Sequence, residues 1–226
     1  MPTSTETVLS KSMDELLEDL TEAASPPQTH MESLTTSCDA GIARLAWIGD
    51  AHLGYRQYGL DRRYEDFSRA LWLTLEDIHK DGIRNVINSG DLLHTNRLDA
   101  RTVNDLRRLN QWLVEHEMSV YTINGNHDPG SDGVCWVDAV GGAAVSRDYG
   151  FKSIDGRTVT IGDHTTIMGV GFSSAEHIRA MKFPKVDVVL MHQPVQEFID
   201  FECPFALCVA DLPLTTSKLV ALGDIH

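Results

Sequence analysis

Five short stretches of the chain place metal-binding side chains close together. WIGDAH offers Asp50 and His52, and INSGDLLH offers Asp91 and His94. INGNHD offers Asn126, His127 and Asp128, VLMHQ offers His192, and ALGDIH offers Asp224 and His226. Carboxylates, an amide and imidazoles, with no thiolate among them, suit hard or borderline divalent cations. Cations so held serve metal-assisted attack on an anionic ester. Singly, each stretch is ordinary: an Asp after a strand is usually a turn or cap residue, and a lone His is more often structural. Their recurrence, each at the end of an apolar run, is what points to chemistry. His30, His79, His116, His164 and His177 fall in linker, helix or loop sequence and take no role.

The runs that precede these residues read as strands alternating with helices. ARLAWIG, IRNVINSG and SVYTING are short apolar strands. Between them lie amphipathic helices: RYEDFSRALWLTLEDIHKDG turns Phe67, Ala70, Leu71, Leu75 and Ile78 inward, and DARTVNDLRRLNQWLVEHE turns Val103, Leu106, Leu109, Leu113 and Val114 inward. Strands alternating with helices imply parallel pairing in an α/β fold. In such sheets the strand C-termini converge on one edge, where ligands bind. After residue 150 the pattern shortens to period 2, with Asp155-Gly156 as the expected turn of a hairpin. A helix at SAEHIRAMKF and strands at VDVVLM and KLVALG follow. The expected architecture is a ββ sandwich of two mixed sheets flanked by helices, in α-β-β-α layers.

Composition narrows the class. The net charge of -14 excludes a general basic nucleic-acid binder. Divalent cations can supply the positive charge that a phosphate requires. Half of that charge comes from residues 1–42, where eight carboxylates face Lys11 alone. There Ser12 and Glu15 form a capping box, and Leu9, Met13, Leu16, Leu17 and Leu20 recur at helical spacing. A polar stretch with Pro26-Pro27 follows as a linker. The segment reads as an acidic tail with a transient helix, or as a docking helix for a partner. Residues 43–226 then form the expected catalytic domain. No apolar run is long enough for a membrane helix, and no signal peptide is visible. Cys38, Cys135, Cys203 and Cys208 fit no zinc spacing, so they read as reduced thiols. The expected location is a reducing compartment, cytoplasmic (nucleoid-associated) or nuclear, and not secreted.

The five stretches resemble the motifs of the calcineurin-like metallophosphoesterases. DAHLGYRQYGLDRRYEDFSRAL, followed by GDLLH and GNHD, is similar to the SbcD-type nucleases. These are DNA-end-processing subunits of bacterial, phage, archaeal and eukaryotic double-strand-break repair complexes. The resemblance covers roughly residues 44–226. It implies two divalent metals, Mn²⁺ first, with Fe or Mg²⁺ as alternatives. It implies Asp91 as the bridging ligand, Asp50, His52 and His226 on one metal, and Asn126, His192 and Asp224 on the other. His127 would stand by the scissile phosphate with Asp128 orienting it, and His94 would assist the exonuclease reaction. In the last motif the family usually has G-H-x-H, and Asp224 replaces its first His.

Arg56, Arg62, Arg63, Arg97 and Arg101 flank the first two motifs as candidate DNA-phosphate contacts. They read equally as helix-start charges paired with Asp61 and Glu65. Expected partners are DNA (double-strand ends and single strands), an SbcC-type coiled-coil ABC ATPase and a second copy of the chain, with no membrane. Family members continue past the last motif into closing strands, a capping domain and an ATPase-docking segment, so the chain reads as part of a longer nuclease. Two other functions share the same motifs: a metallophosphatase or phosphodiesterase acting on nucleotides or proteins, and a non-catalytic subunit that keeps the fold.

Overall fold

The structure is a computed structural model and describes residues 44–128, 136–141, 148–162 and 164–224. The expected N-terminal helix and linker, Cys38, Cys135 and His226 lie outside the described residues.

One sheet contains β1 (Leu45–Ile48), β2 (Asn85–Asn88), β3 (Ser119–Thr122) and β4 (Gly150–Ser153), in that spatial order and all parallel. Three helices connect them: α1 (Asp61–Lys80), α2 (Ala100–Glu115) and the short α3 (Trp136–Gly141). The second sheet runs β5 (Thr158–Ile161), β6 (Thr165–Val170), β7 (Val186–His192) and β8 (Ser217–Gly223). Here β5 and β6 are antiparallel, and the other neighbours are parallel. The short α4 (Ala175–Ala180) joins β6 to β7. The second sheet is therefore mixed, as expected, while the described strands of the first are parallel throughout.

Alternation along the strands generates the layers, because successive side chains point to opposite faces. Val86 packs outward with Leu71 and Leu75 of α1 and with Leu106, Leu109 and Leu113 of α2. Its neighbour Ile87 faces inward and joins Val188, Leu190 and Ala221 of the second sheet. On the far face, Met168, Val170, Val189 and Met191 pack with Ala175 and Ile178 of α4. With both faces covered, the first sheet can be wholly parallel.

Local signals set the helix ends. At the start of α2, Asp99 Oδ1 accepts from the Thr102 backbone N–H at 2.8 Å and its hydroxyl at 2.8 Å. At the end of α1, Gly82 N–H donates to His79 O and Ile83 N–H to Ile78 O, consuming two of the carbonyls left over at a helix terminus. Within α1, Ala70 is exposed rather than inward.

The expected hairpin is displaced. Asp155-Gly156 does form a turn, closed by Arg157 N–H to Ile154 O at 2.9 Å. That turn carries the chain from β4 in the first sheet to β5 in the second. The antiparallel pair is β5–β6, joined between Ile161 and Thr165. Turn chemistry marks where the chain bends and does not say which sheet receives the next strand.

Candidate metal centre

The loops after β1 and β2 go on pairing beyond their strands. Asp50 N–H donates to Gly90 O (3.2 Å), His52 N–H to Asp91 O (2.9 Å), Leu53 N–H to Leu92 O (2.9 Å) and His94 N–H to Leu53 O (3.0 Å). Within this zipper the backbone is repeatedly left-handed: φ is 52° at Asp50, 46° at His52 and 48° at Asp91, and it is 75° at Asp224 after β8. Left-handed backbone costs a residue about 1–2 kcal/mol, least for Asn, Asp and His. Of the described non-glycine residues, only Tyr58 and Glu117 share it. The strain thus concentrates where candidate ligands leave the sheet, as it does at functional sites.

Ligand atoms of Asp50, His52 and Asp91 lie within 4.8 Å of one another. Asp91, nearly fully buried, is central. Its Oδ2 lies 3.8 Å from His52 Nε2, 3.9 Å from His127 Nε2 and 3.6 Å from His192 Nε2. Its Oδ1 accepts the His127 backbone N–H at 3.0 Å.

A second group gathers around His192, which is fully buried. His192 Nδ1–H donates to Ser89 O at 2.7 Å. This fixes the tautomer and leaves a lone pair on Nε2. Around Nε2 stand Asn126 Oδ1 at 3.1 Å, Asp224 Oδ1 at 3.5 Å and Asp91 Oδ2 at 3.6 Å. Burial alone would lower the His192 pKa, but the Asp224 and Asp91 carboxylates outweigh it and the net shift is upward. A proton or a cation on Nε2 would relieve this convergence of acceptors, so the two compete for one place. Ligands at right angles around an ion at about 2.1 Å lie ~3 Å apart, so the donor set fits a hard divalent cation. Asp91 belongs to both groups.

Two glycines permit this closeness. A Cβ on Gly125 would sit 2.6 Å from Asp91 Cγ, inside the carboxylate. A Cβ on Gly90 would sit 2.7 Å from His192 Cγ, on backbone with φ +99° that disfavours any side chain.

His127 stands at the open side of the group. Its Nδ1–H donates to His94 O at 2.8 Å, leaving Nε2 directed at the site. The His94 ring lies near-parallel to it at 5.3 Å, and burial followed by the neighbouring His127 lowers the His94 pKa. Asp128, expected to orient His127, is turned to backbone donors. Its buried carboxylate accepts from Leu93 N–H at 2.9 Å and Gly125 N–H at 2.8 Å. It staples the β2 and β3 loops together. Burial pushes its pKa up to about 6, against the lowering effect of those donors.

The arginines divide. Arg56 pairs with Asp61 and Asp99, Arg63 with Asp66, and Arg101 with Glu65. Arg56 and Arg101 also flank the buried ring of Tyr64, at 4.8 and 4.2 Å. The Tyr64 hydroxyl donates to Asp105 at 2.7 Å, and burial plus that bond pushes its pKa up to about 12. Arg62 and Arg97 are exposed, and neither guanidinium has an ion-pair partner among the described residues. Sequence reasoning missed the Ser89 carbonyl, which carries no residue-type signal, and Tyr55, whose ring lies 3.9 Å from that of His94.

Residues 43–226 match the family model of the calcineurin-like phosphoesterases. Among curated relatives, the DNA double-strand break repair protein Mre11 of Archaeoglobus fulgidus is 26% identical over 204 residues, covering 81% of this chain and 46% of that protein. The protein of the same name from Methanocaldococcus jannaschii is 28% identical over 192 residues, 79% of this chain and 50% of that protein. The one from Halobacterium salinarum is 32% identical over 97 residues, 43% and 25% of the two chains. The chain spans about half the length, or less, of these relatives.

Proposed function

The chain belongs to the calcineurin-like phosphoesterase family, and on that premise we propose that it is a Mn²⁺-dependent DNA exonuclease and endonuclease of double-strand-break repair. The observation that carries this is the gathering of Asn126, Asp224 and Asp91 oxygens around His192 Nε2, beside the group of Asp50, His52 and Asp91. Asp50, His52 and Asp91, with His226, would hold one ion, and Asp91, Asn126, His192 and Asp224 the other. Bound divalent ions neutralise the phosphodiester and make water a nucleophile at neutral pH. The same donors would accept Fe or Mg²⁺.

The protein's own groups do the rest. His94 O fixes the His127 proton on Nδ1, so Nε2 is the atom that handles a proton at the phosphate. Asp128 keeps the loops bearing Asp91 and His127 at one spacing. Arg62 and Arg97 would meet the DNA backbone, while Arg56, Arg63 and Arg101 act mainly in structure. The names of the relatives, which speak of DNA double-strand break repair, support DNA ends and single strands as substrates. An SbcC-type ATPase partner, a homodimer and a location inside the cell belong to the same proposal.

The acidic net charge and the pairing of three of the five arginines favour a second reading, a phosphodiesterase or phosphatase for smaller esters. One experiment separates them. The Mn²⁺-loaded chain, with and without an SbcC-type ATPase, is given linear DNA, bis(p-nitrophenyl) phosphate and p-nitrophenyl phosphate. DNA and diester cleavage, lost in Asp91→Asn, is the expected result. Monoester cleavage with intact DNA would replace the nuclease by a phosphatase, and a chain that takes up no metal would be a binding subunit.

A further inference from the structure

His94 presents an unusual positioning problem. Its backbone is fixed by the bond from its N–H to Leu53 O, yet its buried Nδ1 has no hydrogen-bond partner among the described residues. A histidine is normally aimed by the bond that its second nitrogen makes. Here ring packing replaces that bond. Tyr55 lies over His94 with ring centroids 3.9 Å apart and planes 30° apart. The His127 ring lies 5.3 Å from that of His94 with planes 16° apart, and the His52 ring meets it edge-on at 5.5 Å. Tyr55 is backed by Phe67 of α1 at 5.1 Å, and the Arg63 guanidinium sits 5.5 Å above the Phe67 ring.

We propose that Tyr55 is a positioning residue: backed by Phe67, its ring packs against the His94 imidazole and so sets the plane that His94 presents to the phosphate. This rests on His94 and His127 as the groups facing the scissile phosphate. Tyr55 itself ligates nothing and acts through His94. The chemistry assigned to it is dispersion and quadrupole contact between rings, not the phenol. It follows that Phe should serve at position 55 and an aliphatic side chain should not.

The test compares Tyr55→Leu, Tyr55→Phe and His94→Ala, each alone, and Tyr55→Leu combined with His94→Ala, on bis(p-nitrophenyl) phosphate and linear DNA with Mn²⁺. Tyr55→Leu is expected to lower kcat by about 10–100-fold, the cost of a misplaced catalytic group, with KM and metal content unchanged. Tyr55→Phe is expected to behave as the wild type. In the His94→Ala background Tyr55→Leu is expected to add no further loss, since the two act as one unit. A second arm needs no catalysis: in the metal-free protein the His94 ring protons, assigned by their loss in His94→Ala, should move downfield in Tyr55→Leu as the ring current of Tyr55 disappears. Unmoved His94 resonances, additive losses in the double variant, or a Tyr55→Phe as impaired as Tyr55→Leu would each overturn the proposal. A wild type that cleaves neither substrate would defeat the nuclease assignment instead, and the resonances would still decide the role of Tyr55.

Discussion

Asp50, His52 and Asp91 stand on left-handed backbone in a zipper of main-chain hydrogen bonds, whereas His192 closes a regular strand and its ring is aimed by the bond from Nδ1 to Ser89 O. The first half of the site is positioned by backbone, and in the second His192 is positioned by side-chain contact, with Asp224 again on left-handed backbone. The two should therefore fail in different ways. A change in the first half must disturb loop geometry before it disturbs a ligand. A change in the second can turn one imidazole and leave the loops intact.

Asp91 belongs to both halves, so Asp91→Asn should collapse the distinction. We expect both metals to be lost and the rate to fall by on the order of 10³-fold or more, read by metal analysis and diester hydrolysis. His127→Ala should touch neither half. It should keep full metal content while the rate drops by ~10²–10⁴-fold, as for loss of a general acid. Equal metal loss in the two variants would mean that His127 is a ligand and that the halves are drawn wrongly.

His192→Ala isolates the second half. It removes one imidazole and leaves the main-chain zipper intact, so one of the two ions should bind at least about 10–100-fold more weakly, visible as a split metal titration. Loss of both ions together would show that the halves are mechanically one. On the DNA side, Arg62→Ala and Arg97→Ala should each reduce the salt slope of DNA binding by roughly one, as expected for a lost phosphate contact. Arg56→Ala should mainly lower thermal stability, because its guanidinium ties Asp61 to Asp99.

The smallest effect is at Asp99, far from the ions. Asp99→Ala should cost about 1 kcal/mol of stability, the usual worth of a helix cap. The bonds from Thr102, followed by Arg56, hold the Asp99 carboxyl down to about 2. Its folded pKa is thus below the ordinary value near ~3.9, so its contribution is full above that value and fades as pH falls through about 2. Acid unfolding curves of wild type and Asp99→Ala should accordingly converge toward low pH.

Much of this was legible in the chain itself. The 3.6-residue spacing of Leu71, Leu75 and Ile78, and of Leu106, Leu109 and Leu113, placed two helices correctly, because burying one stripe is what makes such a helix stable. The candidate ligand loops stood out because metal chemistry needs specific side-chain types. What escaped was non-local or carried by backbone. The Ser89 carbonyl looks like any other carbonyl. The preference of Asp128 for two N–H donors depends on a loop 35 residues away. The turn at Asp155-Gly156 was visible, but its destination was set by the second sheet's need for a strand beside β6. The short α3 offers too few turns for a periodic signal.

Left-handed backbone at four candidate ligands also limits how this site can drift over generations. At φ between 46° and 75° glycine is favoured, and among side chains Asn, Asp and His are several-fold enriched. Glutamate, chemically the nearest neighbour of aspartate, is not among those enriched types, although Glu117 adopts a φ of 54° outside the site, whereas Asp, Asn and His codons lie one nucleotide apart. Position 224, where the family resemblance leads one to expect His, carries Asp. Asp and His are both among the types enriched at a φ of 75°, so an exchange between them would keep an oxygen or nitrogen atom at this position without rebuilding the loop.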